Sequence, residues 1–411
     1  MLNKPNLLVL GASGGVANAF LHHLTAYRKL FGKLILLDKR SKLLKDPFVD
    51  HQLLDYTFIL EKIELPRKEK RYLDILKKHK INIVLDITDE NSTEILDATN
   101  KASIIYVNTS MNNYKKTVKE LISDIFERRN TFRNASHILC TGMNPGVVNM
   151  WVRHGIEKFG VPNEVVHFEY DTSKTIKKWY PSITWSAHEF LVESINDPTG
   201  IVLGRGNVKD LLPNALKNRE SMRPILKPIL NLKEYPYGMT VLHEENLSIG
   251  YKYNIPSKFI YSVTPETIKS LISLYNKKKK VSIKNLKFAD NTTEPLEGSD
   301  NIGVMLDYPN KKVYYSNSIP NTSIIGTNAT YTQVIVGVFA ALFVLMFNNL
   351  KPGVYFVEDL YDTYYKYFLF DNMRVQQIVF KKMPNQKLKL LSYDPMIKIK
   401  RNDHFKHFYI I

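Results

Sequence analysis

A run of glycines behind an apolar stretch is the first feature with chemical meaning. Leu7-Leu8-Val9-Leu10 leads into Gly11-Ala12-Ser13-Gly14-Gly15-Val16-Ala17. A strand, a glycine turn and then a helix form the setting in which a dinucleotide pyrophosphate meets helix N–H groups, because bare backbone permits close approach. The spacing is Gly-x-x-Gly-x-x-Ala, with Ser13 where a second glycine would stand. Gly11, Ser13, Gly14, Gly15 and Val16 are therefore expected cofactor contacts. Asp38 closes the next apolar stretch, where a carboxylate accepts from ribose hydroxyls and repels a 2′-phosphate. This favours NAD over NADP, although Lys39 and Arg40 follow directly. Thr88, just past the stretch Ile81 to Ile87, joins the expected cofactor-binding set.

A second group lies farther along. Thr184 to Glu193 reads as a helix in which Trp185, Glu189 and Glu193 fall at i, i+4 and i+8 on one face. Ala187, Phe190, Leu191 and Ile195 fall on the other. An indole beside carboxylates suits a cationic ligand, since the ring face attracts ammonium. Further acids sit near strand ends or turns: Glu169, Asp171, Glu244, Glu245 and Asp300. Each alone is explained by solvation, and together they would line an acidic pocket. His243 precedes two glutamates. No HExxH, P-loop, nucleophile elbow or Cys/His pair occurs. Cys140 is the single cysteine, which excludes a zinc site with two or more thiolates, and no metal is expected.

These residues need elements to hold them. Asn6 to Leu10, Leu34 to Leu37, Phe58 to Leu65, Ile81 to Ile87 and Ile104 to Val107 read as strands. Val16 to Leu30, Lys68 to His79, Ser92 to Lys101 and Tyr114 to Arg129 read as helices. That alternation implies βαβ units and a parallel sheet. After Asn144-Pro145-Gly146 the texture changes: Val165 to Tyr170, Met239 to Leu242 and Phe259 to Val263 are strand-like among longer loops. The fold class expected is α/β, a Rossmann-type parallel-sheet domain plus a mixed α+β domain with a largely antiparallel sheet. The first would cover 1–145, completed by 325–375, the second 146–324, and 376–411 would be a C-terminal extension. Val334 to Phe347 has no polar side chain but is too short to span ~30 Å of hydrocarbon, so it reads as a buried core helix and not a membrane anchor.

The chain has 411 residues, with 57 Lys plus Arg against 40 Asp plus Glu, a net charge of +17. That balance invites an anionic partner. Lys277 to Lys280 is the single run of four, and the rest, including Lys398 to Arg401, is scattered. The pattern fits a lysine-rich solvated surface, so no nucleic acid is expected. Apolar content of 44% fits a folded chain. One cysteine and an N-terminus without a secretory cleavage site fit a cytoplasmic protein.

Five segments in order resemble bacterial homospermidine synthases, a family related to saccharopine dehydrogenases. Thr141-Gly142-Met143-Asn144-Pro145-Gly146-Val147-Val148 is similar to the family's GANPG(L/M)V. His167-Phe168-Glu169-Tyr170-Asp171-Thr172 resembles HVSERDT, and Trp185-Ser186 with Glu193 resembles TWSVDGFVSEG. Val241 to Ile249 resembles ITHNEAISI. Asp300 to Leu306 followed by Asn328 to Val334 resembles DELGVLL and NATSLQV. The glycine turn departs from the family's GxGSIG type, Met111-Asn112-Asn113-Tyr114 stands where the family has EPW, and Glu189 replaces a small residue.

The resemblance implies that NAD oxidises a primary amine of putrescine to an imine. Ammonia leaves, a second putrescine adds, and the hydride returns, giving homospermidine with no net NAD consumed. It implies diamines or polyamines as substrates and a homodimer. It places Trp185, Asn144, Glu169, Glu193 and Asp300 in the pocket, Asn144 also beside the cofactor. A carboxylate or His243 would take the amine proton. Two other readings stay open. One is a saccharopine-dehydrogenase-like reductase that forms a secondary amine at the expense of NADH or NADPH. The other is a non-catalytic dinucleotide-binding protein.

Overall fold

The computed structural model describes residues 3–177, 180–278, 280–292, 294–384 and 387–400. Lys279 of the lysine run, and Arg401 with the rest of 401–411, lie outside the described residues. The chain divides into two compact units. One is Met1–Met150 with Tyr331–Asn372, the other Trp151–Thr330 with Met373–Lys400.

In the first unit the strands are β1 (Leu7–Leu10), β2 (Leu34–Asp38), β3 (Tyr56–Leu60), β4 (Ile83–Asp86), β5 (Ile105–Asn108) and β6 (Ser136–Leu139). Helix α1 spans Gly15–Tyr27, and Ser92–Lys101 and Val118–Arg128 are further helices. All pairings are parallel, and the order is β3-β2-β1-β4-β5-β6, with strand Gly353–Phe356 added beyond β6. Strands β1, β2 and β4 are buried along their whole length, which explains why they are apolar up to the aspartates, Asp38 and Asp86, that end β2 and β4. The order reverses at β1 and β4, and their carboxyl ends are where such sheets bind ligands. The apolar stretch lies in helix Ala329–Phe347. Among the described residues it is the one helix long and apolar enough to cross a membrane, and 89% of its most apolar window is buried. Phe339 packs on Phe20 at 4.9 Å between ring centroids, and Phe343 on Phe368 at 5.0 Å.

In the second unit the strands that matter are β7 (Glu164–Asp171), β8 (Gly200–Gly204), β9 (Tyr237–Val241), β10 (Ser257–Ser262), β11 (Ser299–Asp307) and β12 (Lys311–Pro320). They belong to a ten-stranded sheet in which β10, β7, β11 and β12 lie side by side. Only β7 with β10 is parallel; the other ladders are antiparallel. Residues 376–394 are not a separate extension. Strands Gln376–Lys382 and Leu388–Asp394 continue this sheet outward from β12. The alternation of Ile378 and Phe380 lets that segment pack on Tyr314 of β12.

Candidate functional site

The glycine turn lies at the carboxyl end of β1. Gly11 has φ +82°, and a Cβ there would sit 2.7 Å from the carbonyl oxygen of Ile87 and 3.0 Å from Thr88 Cγ2. Only glycine fits. Gly14 is extended and precedes α1, which starts at Gly15 and Val16 with no side-chain cap and no acid in its first turn. A helix N-terminus left so receives an anion well. Asp38 is buried at the end of β2, where its carboxylate accepts from the backbone N–H of Ser13 at 2.9 Å and of Arg40 at 2.8 Å. It thereby ties the turn to β2, with lone-pair capacity remaining for ribose hydroxyls. Thr88 donates N–H and O–H to Asp86, whose other oxygen accepts from Tyr106 at 2.7 Å. Burial pushes the Asp86 carboxyl up to about 6.

The Gly142–Gly146 segment folds back on itself in the same unit. Gly146 has φ +132°, and a Cβ on it would lie 2.3 Å from the carbonyl oxygen of Gly142. The two glycines bracket a turn with half-buried Asn144 near its apex. The spacing of this motif is thus a steric requirement of a tight reversal.

The acidic residues gather in the second unit. Along β7, Val166, Phe168 and Tyr170 enter one apolar cluster, so His167, Glu169 and Asp171 face the other way. Register places Asp300 of β11 opposite Asp171, and Ile302 opposite Glu169. On the other side, Tyr261 of β10 lies opposite Glu169, and Phe259 opposite His167. Glu169, Asp171 and Asp300 are all buried. Thr184 donates to Asp171 at 2.7 Å and Thr330 to Asp300 at 2.8 Å. Burial pushes the Asp171 carboxyl up. Burial and then the charge of Asp171 push Asp300 well above the usual carboxylate range. The Tyr261 hydroxyl is likewise raised, by burial and then by Glu169 and Asp171.

Trp185 is half-buried, and its indole N–H donates to the Tyr261 hydroxyl at 3.0 Å. It does not lie on a helix, contrary to the expected stripe. Ser186 caps the helix, which covers only Ala187–Leu191. The chain then widens into a π-turn over Val192–Asn196, closed by the N–H of Asp197 on the carbonyl of Val192. An inserted π-turn shifts every later residue around the axis, so i, i+4, i+8 arithmetic fails. Trp185 packs beside the cluster holding Phe190, Leu191 and Ile195, not opposite it.

Glu193, on that π-turn, accepts from His243 Nε2 at 3.1 Å. His243 precedes helix Glu244–Tyr253, whose first residues are both acidic, as the helix dipole favours. Its Nδ1 bonds Glu245 and lies 3.2 Å from Glu244. Burial alone would lower the imidazole, but Glu245, Glu244 and Glu193 together raise it well above its ordinary value. That direction holds His243 toward its charged form, and of the two proton acceptors open from the sequence, a carboxylate or His243, it favours a carboxylate. Its ring also lies 5.2 Å from Phe259, which stacks on Tyr261 at 6.1 Å. An aromatic row thus connects the His243 group to the Trp185 group.

The structure therefore gathers Glu169, Trp185, Glu193, His243 and Asp300 within one unit. Asn144 and the cofactor set lie in the other. Nothing in the local sequence marks Tyr261, Thr184 or Thr330, and Asp171, Glu244 and Glu245 stand out there only as members of an acidic group. The period-two run His167-Phe168-Glu169-Tyr170-Asp171 carried the signal for Asp171 and His167. His243, Glu244 and Glu245 also present ligand atoms within 4.8 Å of one another. Both ring nitrogens of His243 bond carboxylates there, Nε2 with Glu193 and Nδ1 with Glu245.

No protein-family model matches the chain, and no curated protein is similar to it in sequence. Among solved structures it is similar to the homospermidine synthase from Legionella pneumophila in complex with NAD. Identity is 16%, coverage 90% of this chain and 89% of that one, and the TM-score 0.73. That likeness establishes the fold. The amine dehydrogenase from Mycobacterium smegmatis (10% identity, 86% and 95% coverage) has a TM-score of 0.39, and the WlbA dehydrogenase from Thermus thermophilus (9%, 88% and 93%) one of 0.37. Scores that low carry no argument.

Proposed function

We propose that the chain is an NAD-dependent oxidoreductase that acts on diamines, in the manner of a homospermidine synthase. The observation that carries this reading is the buried acidic face of Glu169, Asp171 and Asp300 beside Trp185. Buried carboxylates are costly unless a cation answers them. His243 bonds Glu193 and Glu245 and lies beside Glu244, so its charge is already engaged. A diamine, dicationic at neutral pH, matches the negative charge that Glu169, Asp171 and Asp300 concentrate beside Trp185.

The glycine turn fits NAD: the uncapped, acid-free start of α1 suits a pyrophosphate, and Asp38 suits unphosphorylated ribose hydroxyls. When bound, NAD supplies a hydride acceptor able to return its hydride. The other duties fall to side chains. The face of Trp185 and the carboxylates would hold an ammonium or iminium group, favouring the cationic species over a neutral amine. The attacking amine must lose a proton, and with His243 already charged, that proton goes to a carboxylate.

The test is stoichiometry. With putrescine and catalytic NAD, homospermidine and ammonia should accumulate in equal amounts without net cofactor reduction. Product formation only with stoichiometric reduced cofactor would replace this reading with a secondary-amine-forming reductase. The absence of NAD binding would remove both.

A further inference from the structure

Asp171, Thr184, Thr330 and Asp300 form a continuous line of oxygen contacts in the second unit. Thr184 Oγ1 lies 2.7 Å from Asp171 Oδ2. It also lies 3.2 Å from Thr330 Oγ1. Thr330 Oγ1 in turn lies 2.8 Å from Asp300 Oδ2. All four residues are buried, and the two aspartates face each other across the β7–β11 ladder.

Hydrogen counting decides the protonation state. Three oxygen–oxygen contacts need three hydrogens, and the two threonine hydroxyls supply two. With both carboxyls ionised, each hydroxyl donates to its own aspartate, and the central contact sets lone pair against lone pair. With one carboxyl protonated, every contact is a hydrogen bond. The Asp300 O–H then donates to Thr330, Thr330 to Thr184, and Thr184 to Asp171. Turning both hydroxyls around moves the acidic hydrogen to Asp171 without breaking the chain.

We infer that these four residues hold one acidic proton shared between the two carboxyls at neutral pH, and that a cation docking on this face expels it. The facing titratable groups agree. Glu169 and neutral His167 lie on the same side of β7, and Tyr261 reaches in from β10. Each carboxylate disfavours ionisation of the like group on the facing strand. Docking of an ammonium reverses that balance, so the proton leaves to solvent and both carboxylates pair with the cation. The second half of the inference rests on the diamine reading; the first half does not.

Infrared spectroscopy of the whole chain tests the first half. A carboxylic C=O band should persist at neutral pH and shift in D2O. It should vanish in Asp300→Asn and in Asp171→Asn, because the remaining acid is free of its like-charged neighbour. Thr330→Ser should keep the band, whereas Thr330→Val should move it. No such band in the unsubstituted protein, or one untouched by both Asn substitutions, overturns the shared proton.

Calorimetry with putrescine in buffers of different ionisation enthalpy tests the second half. Binding should release about one proton more from the unsubstituted protein than from Asp300→Asn. Equal release overturns the coupling. Failure of putrescine to bind at all counts against the diamine reading, while the infrared result still judges the chain.

Discussion

The indole N–H of Trp185 donates to the hydroxyl of Tyr261 across 3.0 Å, and the two rings meet edge to face with centroids 6.3 Å apart. Tyr261 lies on β10, so a residue outside any helix is held by the sheet. The ring expected to receive a cation is thus oriented by that hydroxyl together with the Phe190 ring, whose centroid lies 6.0 Å away.

Tyr261→Phe should therefore weaken putrescine binding by about fivefold, the worth of roughly 1 kcal/mol for a lost hydrogen bond. Trp185→Ala should cost more, about tenfold or beyond, because the stacking face itself goes. Calorimetric titration of both variants checks the order, and full affinity in Tyr261→Phe would show that the hydroxyl does not orient the indole.

Glu193→Gln removes one of the three anions around His243 and should lower its titration point, read by NMR of the ring protons. The sign for stability follows from the raised value. The contribution of His243 is complete below about pH 6.5, the unfolded value, and is lost as pH rises through the folded one. In Glu193→Gln that alkaline loss should begin at lower pH than in the unsubstituted protein.

His137 and His167 act in the opposite direction. Burial lowers each to about 4, so both are neutral in the fold. Unfolding lets them take protons below about pH 6.5, and stability should fall as pH drops from there toward 4. Each contributes on the order of 3 kcal/mol to that slope at most. His167→Gln should flatten it, as measured by denaturant midpoints over that range; an unchanged slope would mean that His167 is not held neutral.

Gly11→Ala places a methyl group against the Ile87 carbonyl at positive φ. A loss of about 1–3 kcal/mol in stability is expected, together with weakened NAD binding. Thermal denaturation with and without NAD separates the two effects, and an Ala variant stabilised by NAD as strongly as the parent would refute the role of the turn.

Local features were readable from the sequence. The glycine turn, the strand ending at Asp38 and the buried helix through Val334 to Phe347 depend on neighbouring residues and periodicity. The Trp185 stripe misled because a Ser186 cap and a π-turn, neither visible in apolar spacing, replaced a regular helix. The Asp171–Asp300 pair was unreadable for another reason: sheet register between distant strands sets it. The charge on His243 depends on Glu193, which a separate element delivers.

The acids of this face ride on β7 and β11, in the middle of a ten-stranded sheet. A residue there has ladder partners on both sides, so exchanging it disturbs two neighbours at once. The Thr184 to Asn196 stretch, with its short helix and widened turn, has no such obligation. Divergence in this fold would therefore leave the negative charge as inheritance and rewrite selectivity by lengthening or reshaping that stretch.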